Sequence, residues 1–359
     1  MRSSIDPKRK LTLGDLARAA KVSKGTASNV FNKPGLVRPE VRDHVRTVAK
    51  ELGYQGPDPK GRMLSAGRAN AIGVATMEPL AYLFEDPFAR RLMAAISQAC
   101  QERGIGLSLI SGSREEDIAW TMESALVDGF ILFCLTGAKK LIQRSRDRRL
   151  PFIALDLGGS DDRLPSVGID NRAGARTLAQ HLLDLGHRHF AVLAMEMAAN
   201  RFQQIEVGED VAYHASKLRL EGTFTALRER SVDPATVPVI ETLSDEATIH
   251  PALEALFAAK SHPTAIIAQS DLIALITLDW LSKRGIAVPK DVSLVGFDGL
   301  PEAAAASPRL TTIAQPIAAI GRRAVEKLLE ASADTQNPAP ECLETEFIVG
   351  KTTGPAPDL

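Results

Sequence analysis

Between residues 11 and 55, apolar positions recur at three- and four-residue intervals, the signature of amphipathic helices. Leu13, Leu16, Ala17 and Ala20 fall on one face behind Thr12, which can cap the helix, with Asp15 at the third helical position completing a capping-box-like pair. Ser23 opens a second helix whose inward residues are Ala27, Val30 and Phe31, leaving Lys24, Gly25, Ser28 and Asn29 on the opposite side. Pro39 suits a first helical position, and Val41, Val45, Val48 and Leu52 follow at helical spacing. Three short helices around one small core are predicted, the first two joined by a tight turn.

Residues 53 to 68, GYQGPDPKGRMLSAGR, are rich in Gly and Pro and read as a linker. Within it, Lys60 to Ala66 form a helix too short to be stable alone, so it would order only on docking. From Ala71 the pattern changes. Short apolar runs at Ile72 to Thr76, Leu107 to Ser111, Gly129 to Cys134, Phe152 to Asp156, Phe190 to Ala194, Ala265 to Ala268 and Val292 to Phe297 alternate with helical stretches such as Phe88 to Arg103, Arg172 to Leu185 and Leu272 to Arg284. That alternation predicts doubly wound parallel sheets, two of them to use every strand, with a ligand cleft beyond the strands' carboxyl ends.

Charge divides the chain at the same place. The first 68 residues carry 15 Lys+Arg against 6 Asp+Glu, net +9, and the remainder 28 against 38, net −10. A basic helical head on an acidic α/β body points to a polyanion binder, because Lys and Arg gain affinity by releasing counterions from phosphates. Two helices around a tight turn suit entry of the second into a major groove, so sequence-specific duplex DNA is the expected partner. No run of 18 apolar residues appears and the start lacks an apolar signal core, which predicts a cytoplasmic protein with no membrane partner. Cys100, Cys134 and Cys342 are odd in number and far apart, so they read as buried small hydrophobes, not a disulfide or metal set. Trp120 and Trp280 fall on helices and read as packed. His187 and His189 follow a helix without carboxylates at ligand spacing and read as solvated or capping. With no glycine-rich nucleotide loop, nucleophile elbow or metal cluster, no enzyme, cofactor or metal is expected. The alternative is a cytoplasmic ligand-binding protein or enzyme on the same α/β fold with an incidental basic head.

The motif, the linker and the body together resemble the lac repressor (LacI/GalR) family of bacterial transcriptional regulators, from about Thr12 to Gly350. In the body the resemblance runs through DGFILF (128 to 133), SVGIDNRAGARTLAQHLLDLGH (166 to 187), KLRLEG (217 to 222), VPKDVSLVGFDG (288 to 299) and LTTIAQP (310 to 316). It implies a small helix-turn-helix domain (1–55), a hinge segment (56–68), a periplasmic-binding-protein-like core (69–350) of two doubly wound subdomains, and a tail (351–359). Subdomain one is expected at about 69–167 and 314–334, subdomain two at about 168–313 and 335–350. The family implies a repressor that binds a palindromic operator as a homodimer, controlled by a small-molecule effector, by default a carbohydrate. The tail has no leucine heptad, so no further helical bundle is expected.

Residue roles follow by position. The resemblance makes Lys24, Gly25 and Asn29 the base readers: Lys24 donates to guanine, Asn29 pairs with adenine, and Gly25 has no side chain to read with. Thr12, Ser23, Thr26, Ser28, Asn32 and Tyr54 match phosphate-holding positions. Leu64 matches the hinge leucine that wedges into the minor groove. Asp86, Phe88, Arg219, Ser270, Asp298 and Gln315 match the effector cleft. Three departures stand out: Lys21 where a turn glycine is usual, Gly61 where the hinge has alanine, and Ser270 where an asparagine precedes the aspartate.

Overall fold

The computed structural model describes residues 11–56, 68–112, 115–135, 143, 147, 150–155, 164–197, 213–259, 262–331 and 338–357. The hinge residues Gly61 and Leu64 lie outside the described residues. The chain divides into two compact units, Met1–Ala69 and Asn70–Leu359.

The first unit is the expected three-helix cluster: α1 (Leu13–Ala19), α2 (Lys24–Asn32) and α3 (Pro39–Leu52). The capping box forms, with the Asp15 N–H donating to the Thr12 hydroxyl and the Thr12 N–H to the Asp15 carboxylate. Leu16, Ala20, Val30, Val45 and Ala49 are buried together, with Val41, Val48 and Leu52 packed around them. Gly53 ends α3 in the left-handed conformation, as a helix C-terminus favours. Lys21, in the turn, has a φ of 53°, so a side chain occupies a backbone region that glycine adopts freely.

The second unit holds two parallel sheets. Its first lobe comprises β1 (Ala71–Thr76), α4 (Tyr82–Glu85), α5 (Pro87–Glu102), β2 (Gly106–Ser111), α6 (Glu115–Ser124), β3 (Phe130–Leu132), β4 (Phe152–Leu155) and β5 (Ser166–Ile169). The second lobe follows with α7 (Asn171–Asp184), β6 (Phe190–Ala194), α8 (His214–Glu229), β7 (Val239–Glu241), α9 (Glu246–Ala258), β8 (Ala265–Ala268), α10 (Asp271–Lys283), β9 (Ser293–Val295) and α11 (Pro301–Ala305). The chain then returns through β10 (Thr312–Ala314), α12 (Ile317–Glu330), β11 (Glu341–Leu343) and β12 (Glu346–Ile348). Strand orders are β11-β5-β4-β3-β1-β2 and β7-β6-β8-β9, while β10 pairs antiparallel with β12. The interior strands β1, β4, β6 and β8 are almost wholly buried, as parallel strands covered by helices on both faces must be. Gly222 lets α8 lie on α7: a Cβ there would run into the Arg172 carbonyl.

Several sequence expectations are corrected. The segment 338–343, placed in subdomain two, supplies β11, which pairs with β5 in the first sheet, so the chain crosses back only after Leu343. Residues 351–357 are not a free tail. Thr352 is buried and exchanges hydrogen bonds with Leu294, and Ala356 donates its N–H to the Leu185 carbonyl. His187 is neither solvated nor a cap: it is wholly buried, with Nδ1 3.0 Å from the Thr264 hydroxyl and Nε2 3.1 Å from the Gly354 carbonyl, and burial lowers its pKa. His189 is exposed. Cys100 is buried, but Cys134 is half-buried and Cys342 exposed, because β11 edges its sheet and alternate strand residues turn outward. Trp280 is packed, whereas Trp120 is 71% exposed on α6.

Candidate functional site

In the helical unit, the predicted DNA residues gather on and around α2. Ala27 and Val30 anchor its inner side, fully buried, which turns Lys24 and Gly25 out to solvent with Asn29 half-buried between. The Ser23 hydroxyl caps the helix by accepting the Thr26 N–H at 2.9 Å and lies 2.8 Å from the Thr26 hydroxyl. The Asn32 amide donates to the Ser28 hydroxyl at 3.1 Å. Thr12 stands at the N-terminus of α1, also engaged by Asp15. Tyr54 is 8% exposed and meets the Phe31 ring edge-on at 5.8 Å, so most of its ring belongs to the core. A Cβ on Gly25 would sit 3.7 Å from the Ser23 hydroxyl, an ordinary contact. Packing therefore does not demand glycine there; its effect is to withhold a side chain from the exposed face.

In the second unit, a cavity of about 190 Å³ opens between the two lobes at the carboxyl ends of both sheets, where open α/β sheets place ligands. Asp86, Phe88, Arg219, Ser270 and Asp298 all line it. Asp86 caps α5 by accepting the Ala89 N–H at 2.8 Å, and Phe88 follows on the same turn, 6.4 Å from Phe133. Ser270 caps α10, its hydroxyl accepting the Ile273 N–H at 3.2 Å. Gln315 is not in the lining. It stands behind Asp298 and donates its amide to Asp298 Oδ1 at 2.7 Å.

Arg219 lies in the second turn of α8, 4% exposed. Its Nε donates to Asn171 Oδ1 at 2.8 Å, Nη1 donates to the Gln269 carbonyl and lies 3.6 Å from Asp298, and the guanidinium covers the Phe297 ring at 3.8 Å. Asp298 has φ 131°, and its N–H donates to the Ile313 carbonyl while its own carbonyl accepts the Gln315 N–H. Backbone and side chain together thus fasten Asp298 to β10 and the residue after it. Burial pushes the Asp298 carboxyl well above its usual range, against the pull of Arg219. Asp271 accepts the Thr312 hydroxyl at 2.6 Å and the Leu300 N–H at 2.7 Å, and burial raises it to about 6. Gly299, at φ 73°, lets this loop reach β10, since a Cβ would strike Ala314.

Residues that sequence reasoning passed over also face the cavity, among them Glu78, Tyr82, Cys134, Glu196, Tyr213 and His214. The Tyr213 hydroxyl, at the start of α8, donates to Glu78 Oε1 at 3.2 Å, joining the two lobes across the cleft. Glu78 and Glu196 each lie two residues beyond a strand end, β1 and β6. That position is itself a readable signal. Among the described residues no trio of His, Cys, Asp or Glu is placed to hold a metal ion, and no helix is long and apolar enough to cross a membrane.

Residues 12–56 match the family "Bacterial regulatory proteins, lacI family", and residues 179–353 match "Periplasmic binding protein-like domain". An HTH-type transcriptional regulator of Mycobacterium tuberculosis is 37% identical, with 98% of this chain and 99% of that protein covered. The chain belongs to the lac repressor family of transcriptional regulators. A second family member, the HTH-type transcriptional regulator IpsA of Corynebacterium glutamicum, is 32% identical over 96% of this chain and 98% of its own length. Among solved structures, the lac repressor dimer bound to operator and the anti-inducer ONPF is similar at TM-score 0.77 and 25% identity, covering 96% of this chain and 100% of that one. The CelR–cellobiose complex is similar at TM-score 0.66 and 28% identity, covering 95% and 99%. This family member is therefore a DNA-binding transcriptional regulator with a helix-turn-helix head and a periplasmic-binding-protein-like core.

Proposed function

We propose that this regulator is a repressor that binds a palindromic operator as a homodimer and is controlled by a small molecule, a carbohydrate or carbohydrate derivative, held in the cleft between its lobes. Lys24 and Asn29 read bases from α2 while Gly25 leaves one position unread, and Thr12, Ser23, Thr26, Ser28, Asn32 and Tyr54 fix register on phosphates. Leu64 wedges the minor groove at the centre of the operator. Asp86, Phe88, Arg219, Ser270 and Asp298 bind the effector, and Gln315 carries its presence onward.

One observation carries the allosteric part. The cavity-lining Asp298 is tied by side chain and backbone to β10 and Gln315, the segment through which the chain crosses between lobes. A ligand that shifts Asp298 must shift that crossover, and the angle between the lobes with it. Control then requires only that the ligand bind one lobe arrangement better, by about 1–3 kcal/mol for a typical coupling. The CelR–cellobiose complex lends the carbohydrate reading its support.

Selection of duplexes from a random library by the full-length protein tests the first half. An inverted repeat should emerge, and the absence of any preferred duplex at near-physiological salt would end the reading. With that operator in hand, Leu64→Ala should weaken specific binding more than non-specific binding. Equal losses would remove the wedge. Sugars, polyols and their derivatives are then screened for release or tightening of the operator complex.

A further inference from the structure

We propose that residues 350–356 are a clamp on the segment where the chain crosses between lobes, and that protonation of His181 and His187 opens it. Acid then acts on the same crossover that the proposed effector response runs through, and only this consequence rests on that reading.

On one side the strap grips the chain ahead of β10. Gly350 and Lys351 donate their N–H groups to the Thr311 hydroxyl and the Arg309 carbonyl, at 3.0 and 2.6 Å. The Thr352 hydroxyl, wholly buried, accepts the Thr311 N–H at 3.0 Å and donates to the Leu294 carbonyl at 2.7 Å. In return the Leu294 N–H donates to the Thr352 carbonyl at 2.9 Å. Thr352 therefore fastens residues 309–311 to β9. Thr311 leads directly into β10, whose Ile313 carbonyl accepts the Asp298 N–H at 2.8 Å. A loosened strap frees the stretch that holds the cavity-lining Asp298 from behind.

Two histidines close the strap from the other side. His181 Nε2, on α7, lies 2.9 Å from the Thr353 hydroxyl, and its ring meets Phe347 of β12 edge-on at 5.2 Å. His187 Nε2 lies 3.1 Å from the Gly354 carbonyl, beside the Ser293 hydroxyl that accepts the Gly354 N–H at 3.1 Å. A carbonyl only accepts, so His187 Nε2 carries the proton, and in the neutral ring Nδ1 accepts from the Thr264 hydroxyl at 3.0 Å. A second proton places a full charge in this dry knot. Thr264 and Ser293 bring no charge to meet it, Arg188 is of like sign, and His181 becomes so on protonation. Asp184 favours a charged His181, but it is exposed and engaged by Arg230, and Lys351 on the strap is exposed. Burial accordingly holds both rings below their ordinary value of 6.5. An opened strap returns them to water, where they take up protons at that value. Opening is therefore favoured as pH falls, and the closed state keeps its full advantage above that range.

Hydrogen–deuterium exchange of the full-length protein, followed peptide by peptide and corrected for the intrinsic pH dependence of amide exchange, reads the opening. From about pH 7.5 to about 5.5, opening of residues 350–356 and 309–315 should rise about ten-fold for each histidine, the scale for an imidazole that titrates near 6.5 only when the strap is open. The strand β6, interior to the same lobe, should keep its protection. His181→Gln should remove about one of these factors and His187→Gln the other, because glutamine keeps a donor and takes up no proton. Thr352→Val should open 309–315 at the higher pH as acid does in the wild type. Strap exchange that ignores pH, acid exchange that rises equally in β6, glutamine variants with the wild-type acid response, or a Thr352→Val variant with wild-type exchange over 309–315 would each overturn the proposal. Melting temperatures check that the variants fold; should the buried ones not, the wild-type pH series and His181→Gln, at a half-buried position, decide. The two readings fail differently. An operator complex indifferent to every small molecule removes the sensor and leaves the clamp, whereas exchange that ignores pH removes the clamp and leaves the sensor.

Discussion

Asp271 and Asp298 show how much one residue can carry. Both are buried beside a single guanidinium, and burial lifts both carboxyls. For Asp271, at about 6, the folded core holds a proton more readily than the unfolded chain does. Its contribution to stability is then full below the ordinary carboxylate range and is lost as pH rises through about 6. Asp271→Asn should flatten that loss, so calorimetric melting between pH 4.5 and 7 should fall less with rising pH in the variant than in the wild type. His187 acts in the opposite sense: burial lowers it, so its contribution is present above its ordinary value and lost as pH falls. Arg219→Ala leaves Asp298 buried without its cation and should cost about 3–5 kcal/mol in denaturant unfolding. Adding Asp298→Asn to that variant should recover part of the loss, and a strictly additive pair would show that the two do not interact.

At the scale of elements, local chemistry and packing disagree in instructive places. The turn between α1 and α2 is closed by a lysine at φ 53°, where a Cβ crowds the backbone. Lys21→Gly should raise the stability of the helical unit by up to about 1 kcal/mol, read as a higher denaturation midpoint. A lower midpoint would mean that the lysine side chain makes a compensating contact. The strand β11 is short and lies at a sheet edge, which is why its cysteine is exposed. Residues 351–357 look like a polar, proline-rich tail, yet their hydroxyls and amides complete the edge beside β9 and enclose His187.

For the whole molecule, the questions are assembly and closure. Arg90 and Arg91 on α5 pair with Glu302 on α11 at 3.4 Å, a second link between lobes besides Tyr213 and Glu78. These rim charges are exposed and contribute under about 1 kcal/mol each, so they bias the angle between lobes without locking it. The first sheet ends in the edge strand β2, and beside it α6 exposes Trp120 with Leu126 just beyond. A large aromatic left outside a core next to an open strand edge suits burial against a second copy. On the proposed homodimer, Trp120→Glu should therefore shift sedimentation towards the monomer and weaken operator binding. A variant that sediments like the wild type would remove this face as a contact between copies.

The order of elements was legible from the sequence because each depends on nearby residues. Helical periodicity gave α1 to α3, the Thr12 and Ser23 caps marked two helix starts, and alternating apolar runs gave the parallel sheets. The positions Asp86, Phe88, Arg219, Ser270 and Asp298 were legible through family resemblance, and the fold brings them to one cavity. Burial and partnership were not legible, because they depend on groups distant in the chain. Nothing near His187 announces Thr264 and Gly354, nothing near Arg219 announces Asp298, and nothing in residues 338–343 announces a place beside β5. Glu78 and Tyr213 are 135 positions apart and meet only because two sheets turn their carboxyl ends towards one another. Local periodicity and capping act over a few residues and can be read in one dimension, whereas desolvation and pairing are properties of what the folded chain brings alongside, and only the tertiary structure decides them.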